Sequence, residues 1–275
     1  MVIRLARTQL VPLIQKLKTC PGTLKIVGEI EATLEDRICG YEYIADRWPD
    51  CRAIVILANA VELKFLQGTV NVYATDNDAL MSLLHTPHVI NWSQGKRFTF
   101  AAVDSTIRAA VLEVMQHYKV PFKINTDCVY LAVTQNSLKL RSVPEGYTLS
   151  SLQPEQAPLI NSLWKFSSGD ASEAYIKHLI NKLPSTCLYD EEGVLLGYAL
   201  TYAYGYLGML HVLEEHRGKG YGKVIMSQLA LKHLKKKKEV YVIIECDNAP
   251  SLRLHENMGF EVVPDVTVNW IVCTN

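Results

Sequence analysis

Between Glu192 and Glu214, residues 193–213 carry no formally charged side chain. A run of that length and polarity is buried either as a helix across a bilayer or as strands inside a packed sheet. The pattern selects the second. Tyr198, Tyr202, Tyr204 and Tyr206 alternate with smaller residues, and Gly205 interrupts the run. Period-two alternation around a glycine predicts two central strands joined by a turn, with no membrane span.

At roughly 150 residues per domain, 275 residues make one large domain or two ordinary ones. The 49% hydrophobic and 20% charged content leaves no room for long disorder. Lysine plus arginine (28) balance aspartate plus glutamate (28), which excludes the overall field expected of a nucleic-acid or anionic-membrane binder. The run Lys232, Lys235, Lys236, Lys237 and Lys238 falls at the end of a predicted helix, where positive charge offsets the dipole. It also lacks the interleaved aromatics of a nucleic-acid groove. The seven cysteines are odd in number and scattered, without a CxxC pair or a histidine cluster. That spacing predicts no metal, no disulfide framework and a reducing, intracellular compartment.

The N-terminus has no acidic residue before Glu29, whereas Arg4, Arg7, Lys16, Lys18 and Lys25 are basic. A mitochondrial targeting segment shares this bias but is rich in serine, and this stretch has none. Leu10, Leu13, Ile14 and Leu17 at helical spacing predict a first amphipathic helix of the fold. Cytoplasm and mitochondrion both remain open.

Alternating strands and helices argue an α/β (α+β) architecture in two halves, 1–140 and 141–275. In the first, strands are expected at 53–57, 69–73, 98–103 and 129–133, with helices at 78–84 and 105–118. The polar stretch Gln135–Gly146 is the linker candidate. In the second, a strand at 147–152 precedes a helix at 154–164 that buries Leu159, Ile160, Leu163 and Trp164. Asp170 is expected to cap a helix ending at Pro184. Strands follow at 186–190, 194–202 and 207–213, then a helix to Leu234, a strand at 240–245 and a helix at 250–258. Val266–Val272 is expected to close the sheet of this half.

The chemistry concentrates in His216–Gly222, HRGKGYG, between a strand and a helix. Its three glycines permit positive φ and close approach of a ligand. Successive backbone N–H groups at the positive end of a helix suit a diphosphate, and Arg217, Lys219 and Lys223 add full charges. The spacing is not that of a P-loop, and the dinucleotide fingerprint needs a further glycine and a later acid.

The segment Met209–Gly222, MLHVLEEHRGKGYG, resembles the acyl-CoA loop of the GNAT N-acyltransferase superfamily. Asn248–Phe260, NAPSLRLHENMGF, resembles that superfamily's N-x-x-A-x-x-L-Y-x-x-x-G-F stretch. Arg47-Trp48-Pro49-Asp50, Val89-Ile90-Asn91-Trp92 and the closing Trp270-Ile271-Val272-Cys273 are similar to the glycine N-acyltransferase family within it. Read without the family, Trp48, Trp92 and Trp270 are large core residues.

The resemblance implies a GNAT fold in the C-terminal half, a mixed central sheet flanked by helices. The preceding α/β domain, by its order of elements, reads as a degenerate module of the same kind. It further implies acyl-CoA or acetyl-CoA as co-substrate and small-molecule partners. The pantetheine arm would pair with Leu210, His211 and Val212. The pyrophosphate would lie on Arg217, Gly218, Lys219, Gly220, Tyr221 and Gly222, and Asn248 near the thioester.

Direct attack of an amine on a thioester needs one group to remove a proton and another to supply one. The sequence departs from the family at both. The family's glutamate base lies eleven residues before the loop motif, where this chain has Tyr206. The superfamily's tyrosine acid corresponds to His255, an imidazole that ordinarily titrates near neutrality. His211 is a further candidate base, on the strand face opposite Leu210 and Val212. Three readings remain open: transfer to glycine or a similar small amine, a GNAT acting on another amine such as a protein, and a coenzyme-binding protein with little turnover.

Overall fold

The computed structural model describes residues 2–92 and 97–273. In chain order the elements are β1 (Ile3–Arg4), α1 (Arg7–Leu17), α2 (Leu24–Leu34), β2 (Glu42–Ala45), β3 (Ala53–Leu57), β4 (Thr69–Ala74), α3 (Asn77–His85), β5 (Thr99–Asp104), α4 (Ser105–His117), β6 (Phe122–Ile124) and β7 (Cys128–Thr134). They continue with β8 (Thr148–Ser150), α5 (Ala157–Leu163), α6 (Asp170–Lys182), β9 (Thr186–Tyr189), β10 (Leu195–Thr201), β11 (Leu207–Val212), α7 (Tyr221–Leu234), β12 (Glu239–Glu245), α8 (Ala249–Glu256) and β13 (Glu261–Cys273).

Two compact units result. The first comprises Met1–Glu62, Leu66–Cys128 and Asp265–Asn275; the second comprises Leu63–Phe65 and Val129–Pro264.

In the first unit, β1 to β4 pair antiparallel in order, and β4 pairs parallel with β5. Every residue of β3 is buried. Ile54 and Ile56 pack with Leu10, Leu13, Leu17 and Ile30 from α1 and α2. Ala53, Val55 and Leu57 pack on the other face with Leu80, Leu83, Val111 and Val114 from α3 and α4. A strand covered on both faces has to read as an unbroken apolar run, and AIVIL does. Trp48 and Trp270 are only partly buried. Trp92 is likewise half-buried, stacked on Tyr118 with ring centroids 4.9 Å apart.

The closing strand departs from expectation. Val268 to Val272, expected in the sheet of the second half, pair antiparallel with β5 in the first unit. Asn269 anchors it by donating to Asp127 Oδ1 at 3.0 Å, a carboxylate that also pairs with Arg108 at 2.8 Å. Strand partners far apart in sequence are chosen by matching edges and side-chain layers, which the local pattern of β13 does not encode.

In the second unit, one sheet runs β11-β10-β9-β8, and β12 is the outermost strand of the other, beside β7. The core joins β10 and β12 to α7 through Leu196, Ile225, Leu229, Val242 and Ile244. The polar stretch 135–146 packs here rather than running free: the Lys139 amide donates to Met258 O at 2.8 Å, and the Arg141 amide to Ser227 Oγ at 3.1 Å.

Two smaller expectations are corrected. The helix over 154–164 begins as a 3₁₀ turn at Pro154–Gln156, and the α-helix proper is Ala157–Leu163. Ala157, Ile160 and Asn161 turn inward, while Leu159 and Leu163 are exposed. Asp170 is the first helical residue of α6; the cap is Gly169, whose φ of +68° a glycine tolerates best.

Candidate functional site

β10 and β11 form the expected hairpin. Its turn closes with the Gly205 amide donating to Tyr202 O and the Tyr202 amide to Tyr206 O, both at 2.7 Å. Tyr198 stands opposite His211 and Leu200 opposite Gly208, which leaves Met209 and Leu210 facing Ala199 alone. This is a β-bulge, with Met209 at φ +48°. Beyond it, β11 is the edge of its sheet and β12 the edge of the other; the two lie near each other with no ladder between them. An extended ligand can pair with such edges as an added strand would.

β11 leads through a single 3₁₀ turn, Glu214–His216, into Arg217–Gly220, all four exposed. Gly218 and Gly220 adopt φ +79° and +85°. A Cβ at either would meet nothing within 4 Å, so the demand there is backbone conformation, not space. Gly222 differs: a Cβ would come within 3.2 Å of Leu254, 3.6 Å of Val212 and 3.7 Å of Leu210. The first turn of α7 therefore sits hard against β11 and α8.

Gly220 is the N-cap of α7 and has no side chain with which to cap it. The first helical bonds run from Lys223 and Val224 to Gly220 O. Among the described residues, the amides of Gly218 to Gly222 have no backbone acceptor. Five consecutive donors at the positive end of a 14-residue helix, flanked by Arg217, Lys219 and Lys223, form an anion cradle. Arg217 is itself anchored, its Nε donating to Val212 O at 3.0 Å.

The family model for aralkyl acyl-CoA:amino acid N-acyltransferase matches residues 1–184, and an FR47-like model matches 187–271. The chain belongs to the aralkyl acyl-CoA:amino acid N-acyltransferase family. It is an acyl-CoA N-acyltransferase. The glycine N-acyltransferase of Bos taurus is 23% identical over 274 residues, 92% of each chain. Among solved structures, a Drosophila protein aligns over 99% of this chain and 98% of its own, at TM-score 0.82 and 16% identity. A tandem GNAT protein from the clavulanic acid biosynthesis pathway aligns over 99% and 98%, at TM-score 0.63 and 14% identity. The fold is thus of the GNAT type, the resemblance reaching the first half as well as the second.

Within this N-acyltransferase the expected site residues fall in several surroundings. Leu210 and Val212 point their side chains toward Gly222 on α7. His211 points to the opposite face and stacks on Tyr198, ring centroids 5.8 Å apart. Burial, and then the Arg217 charge, holds its pKa below the usual histidine value.

Tyr206 is buried among other tyrosines, edge-on to Tyr130 (6.0 Å) and Tyr204 (5.3 Å) and tilted over Tyr241 of β12 (5.3 Å). Tyr202 stacks on Tyr204, and its ring covers Gly208 so closely that a Cβ there would lie 2.3 Å from it. Burial pushes the Tyr202 hydroxyl up to about 12, partly offset by its hydrogen bond with Trp164. The tyrosines were visible as an alternation, but their convergence with Tyr130 and Tyr241 was not, because those come from other strands.

His255 differs most from expectation. It is 4% exposed, packed edge-on against Phe260 at 5.2 Å. Nδ1 donates to Ser251 O at 2.8 Å, and Nε2 is buried with no partner among the described residues. Burial lowers its pKa, with the Ser251 bond opposing. Burial thus favours the neutral imidazole, with Nε2 as a buried acceptor. Asn248, exposed, caps α8, its Oδ1 accepting from the Ser251 amide at 3.2 Å.

The basic run is not wholly a solvated helix end, for Lys232 Nζ donates to Ser185 O at 2.6 Å. Among the described residues no helix is long and apolar enough to cross a membrane.

Proposed function

We propose that this enzyme transfers an acyl group from coenzyme A directly to the amine of glycine or a similar small amino acid. The observation that carries the proposal is the turn Arg217–Gly222, an anion cradle placed where a ligand strand along β11 would end. The diphosphate would lie on Arg217, Gly218, Lys219, Gly220, Tyr221 and Gly222. The pantetheine would follow the backbone of Leu210, His211 and Val212, with Asn248 Nδ2 near the thioester. Residues 141–275 would hold this catalytic part, and 1–140 a related domain without the cradle.

In the proposed reaction the acceptor ammonium loses one proton through a water ordered by the Tyr206 hydroxyl. A tyrosine is a poor base in its own right, with a reference pKa near 10. The amine nitrogen attacks the carbonyl, and backbone N–H groups at the Met209 bulge stabilise the oxyanion. The second nitrogen proton passes to His255 Nε2 and from there to the departing sulfur. Burial favours the neutral form of His255, which suits a group that first accepts and then donates. Amide, free thiol and one released proton balance the equation.

Thiol release from an acyl-CoA panel with pooled free amino acids tests the proposal. Release with small amino acids supports it. Release that requires a peptide points to a protein acceptor. Acyl-CoA binding with no release from any free amino acid at any pH overturns the proposal. His255→Ala is expected to lower turnover more than acyl-CoA affinity; unchanged turnover removes His255 from the reaction.

A further inference from the structure

The connection between α5 and α6 lies against the β10–β11 turn on one side and the end of β12 on the other. On one side Trp164 lies beside Tyr202, whose ring lies over Gly208 of β11. On the other, Lys165 Nζ lies 2.5 Å from Glu245 Oε2 at the end of β12, 80 residues away. Phe166 lies under the ammonium, its ring centroid 4.7 Å from Nζ, and Trp164 packs edge-on against Phe166.

Glu245 belongs to a definite face. Val240, Val242 and Ile244 point into the core beneath α7. Alternation puts Tyr241, Ile243 and Glu245 on the other side, the side on which Tyr206 packs against Tyr241. The second acid of that face, Glu239, already accepts from the Tyr241 hydroxyl at 2.5 Å. No acid occurs on β11 or in the hairpin turn. Glu245 is thus the carboxylate this face offers to an incoming amine.

The pair is partly open to solvent, with side-chain exposures of 58% for Lys165 and 30% for Glu245. Pairs of this kind add little to stability and separate easily. A free α-amino acid carries a carboxylate and an ammonium on neighbouring atoms. Such a zwitterion can enter between the two partners and give each an opposite charge, two ion pairs replacing one.

We propose that Lys165 and Glu245 are the acceptor-recognition pair: Lys165 takes the α-carboxylate of the amino acid, and Glu245 holds its ammonium before deprotonation. The proposal rests on the acyltransferase reading above and narrows it to free α-amino acids. A peptide amine or a simple amine leaves Lys165 without its partner.

The test measures thiol release at saturating acyl-CoA with glycine and with glycinamide, which lacks the carboxylate. The wild type is expected to favour glycine at least tenfold in kcat/KM. Lys165→Met should raise the glycine KM and bring the two acceptors within about twofold, leaving the acyl-CoA KM unchanged. Glu245→Gln should raise KM for both acceptors. The charge-swapped double variant K165E/E245K restores a surface ion pair and should keep the wild-type melting temperature, yet fail to recover use of glycine. Unchanged glycine KM in Lys165→Met, equal use of both acceptors by the wild type, or full recovery in the swapped variant overturns this inference alone. Absence of release with every amine overturns the acyltransferase reading together with it.

Discussion

The two halves of the chain run through the same succession of elements. The series β1, α1, α2, β2, β3, β4, α3, β5, α4 corresponds step by step to β8, α5, α6, β9, β10, β11, α7, β12, α8. They part at one turn. Where β4 enters α3, Asp76 caps the helix by accepting from the Ala79 amide at 3.1 Å, and Arg52 pairs with the same carboxylate at 2.6 Å. Where β11 enters α7, the cap is Gly220, with no side chain to offer. The strand that follows repeats the contrast. β5 pairs with β4 in parallel, whereas β12 makes no ladder with β11. The first unit satisfies its helix terminus and strand edge internally, with a negative charge at the point where an anion would bind. The second leaves both open. On the proposed reading, the coenzyme binds where local hydrogen bonding leaves these groups unused.

The sharpest way to break that comparison is Gly220→Val. A β-branched residue cannot hold φ +85° cheaply, so the five amides lose their common orientation. Acyl-CoA affinity by titration calorimetry should fall at least 100-fold, about 2.7 kcal/mol, with unfolding still cooperative. A change within about twofold (roughly 0.4 kcal/mol) would disprove the cradle.

Tyr206→Phe keeps the aromatic packing and deletes the hydroxyl. Turnover should drop by about 10-fold or more while acyl-CoA affinity is retained; an unaltered kcat removes the ordered water from the mechanism. Gly220→Asp writes the first unit's cap into the second. A carboxylate that both occupies the amides and repels the diphosphate should weaken binding about tenfold, some 1.4 kcal/mol, with little loss of thermal stability. The reverse change, Asp76→Gly, should cost a few tenths of a kcal/mol of stability for the lost cap and create no second acyl-CoA site. A stoichiometry of two would show that capping alone separates the halves.

The smallest effect concerns pH. Burial lowers the folded pKa of His255 below its ordinary 6.5, so the unfolded chain takes up the proton first. The stability that neutral His255 provides is complete above about pH 6.5 and is lost progressively as pH falls below it. Denaturation midpoints at pH 7.5 and 5.5 should differ more for the wild type than for His255→Gln. Equal differences would mean that folding leaves the His255 pKa where it is in the unfolded chain.

Much of the architecture was legible in local pattern. The continuous apolar run Ala53–Leu57 is a strand with those same bounds, and the glycine turn before Tyr221 opens α7 as read. What was not legible depended on neighbours distant in sequence. His255 reads as a polar residue on a short helix, yet Phe260 and the core bury it. Lys165 and Glu245 carry no motif, and only folding brings them together. Leu159 and Leu163 had helical spacing, but α5 buries Ala157, Ile160 and Asn161 and leaves the two leucines to solvent.

By itself the sequence determined the hairpin of the uncharged run, the glycine-cradled helix start, and the family to which those motifs belong. Each depends on backbone torsions and side-chain periods that act within a few residues. Only the tertiary structure decided that Val268–Val272 pair with β5 in the first unit, that β11 and β12 stay unpaired, and that burial lowers the His255 pKa. Those outcomes follow from edge matching and desolvation, which arise between segments far apart in the chain and leave no trace in either segment alone.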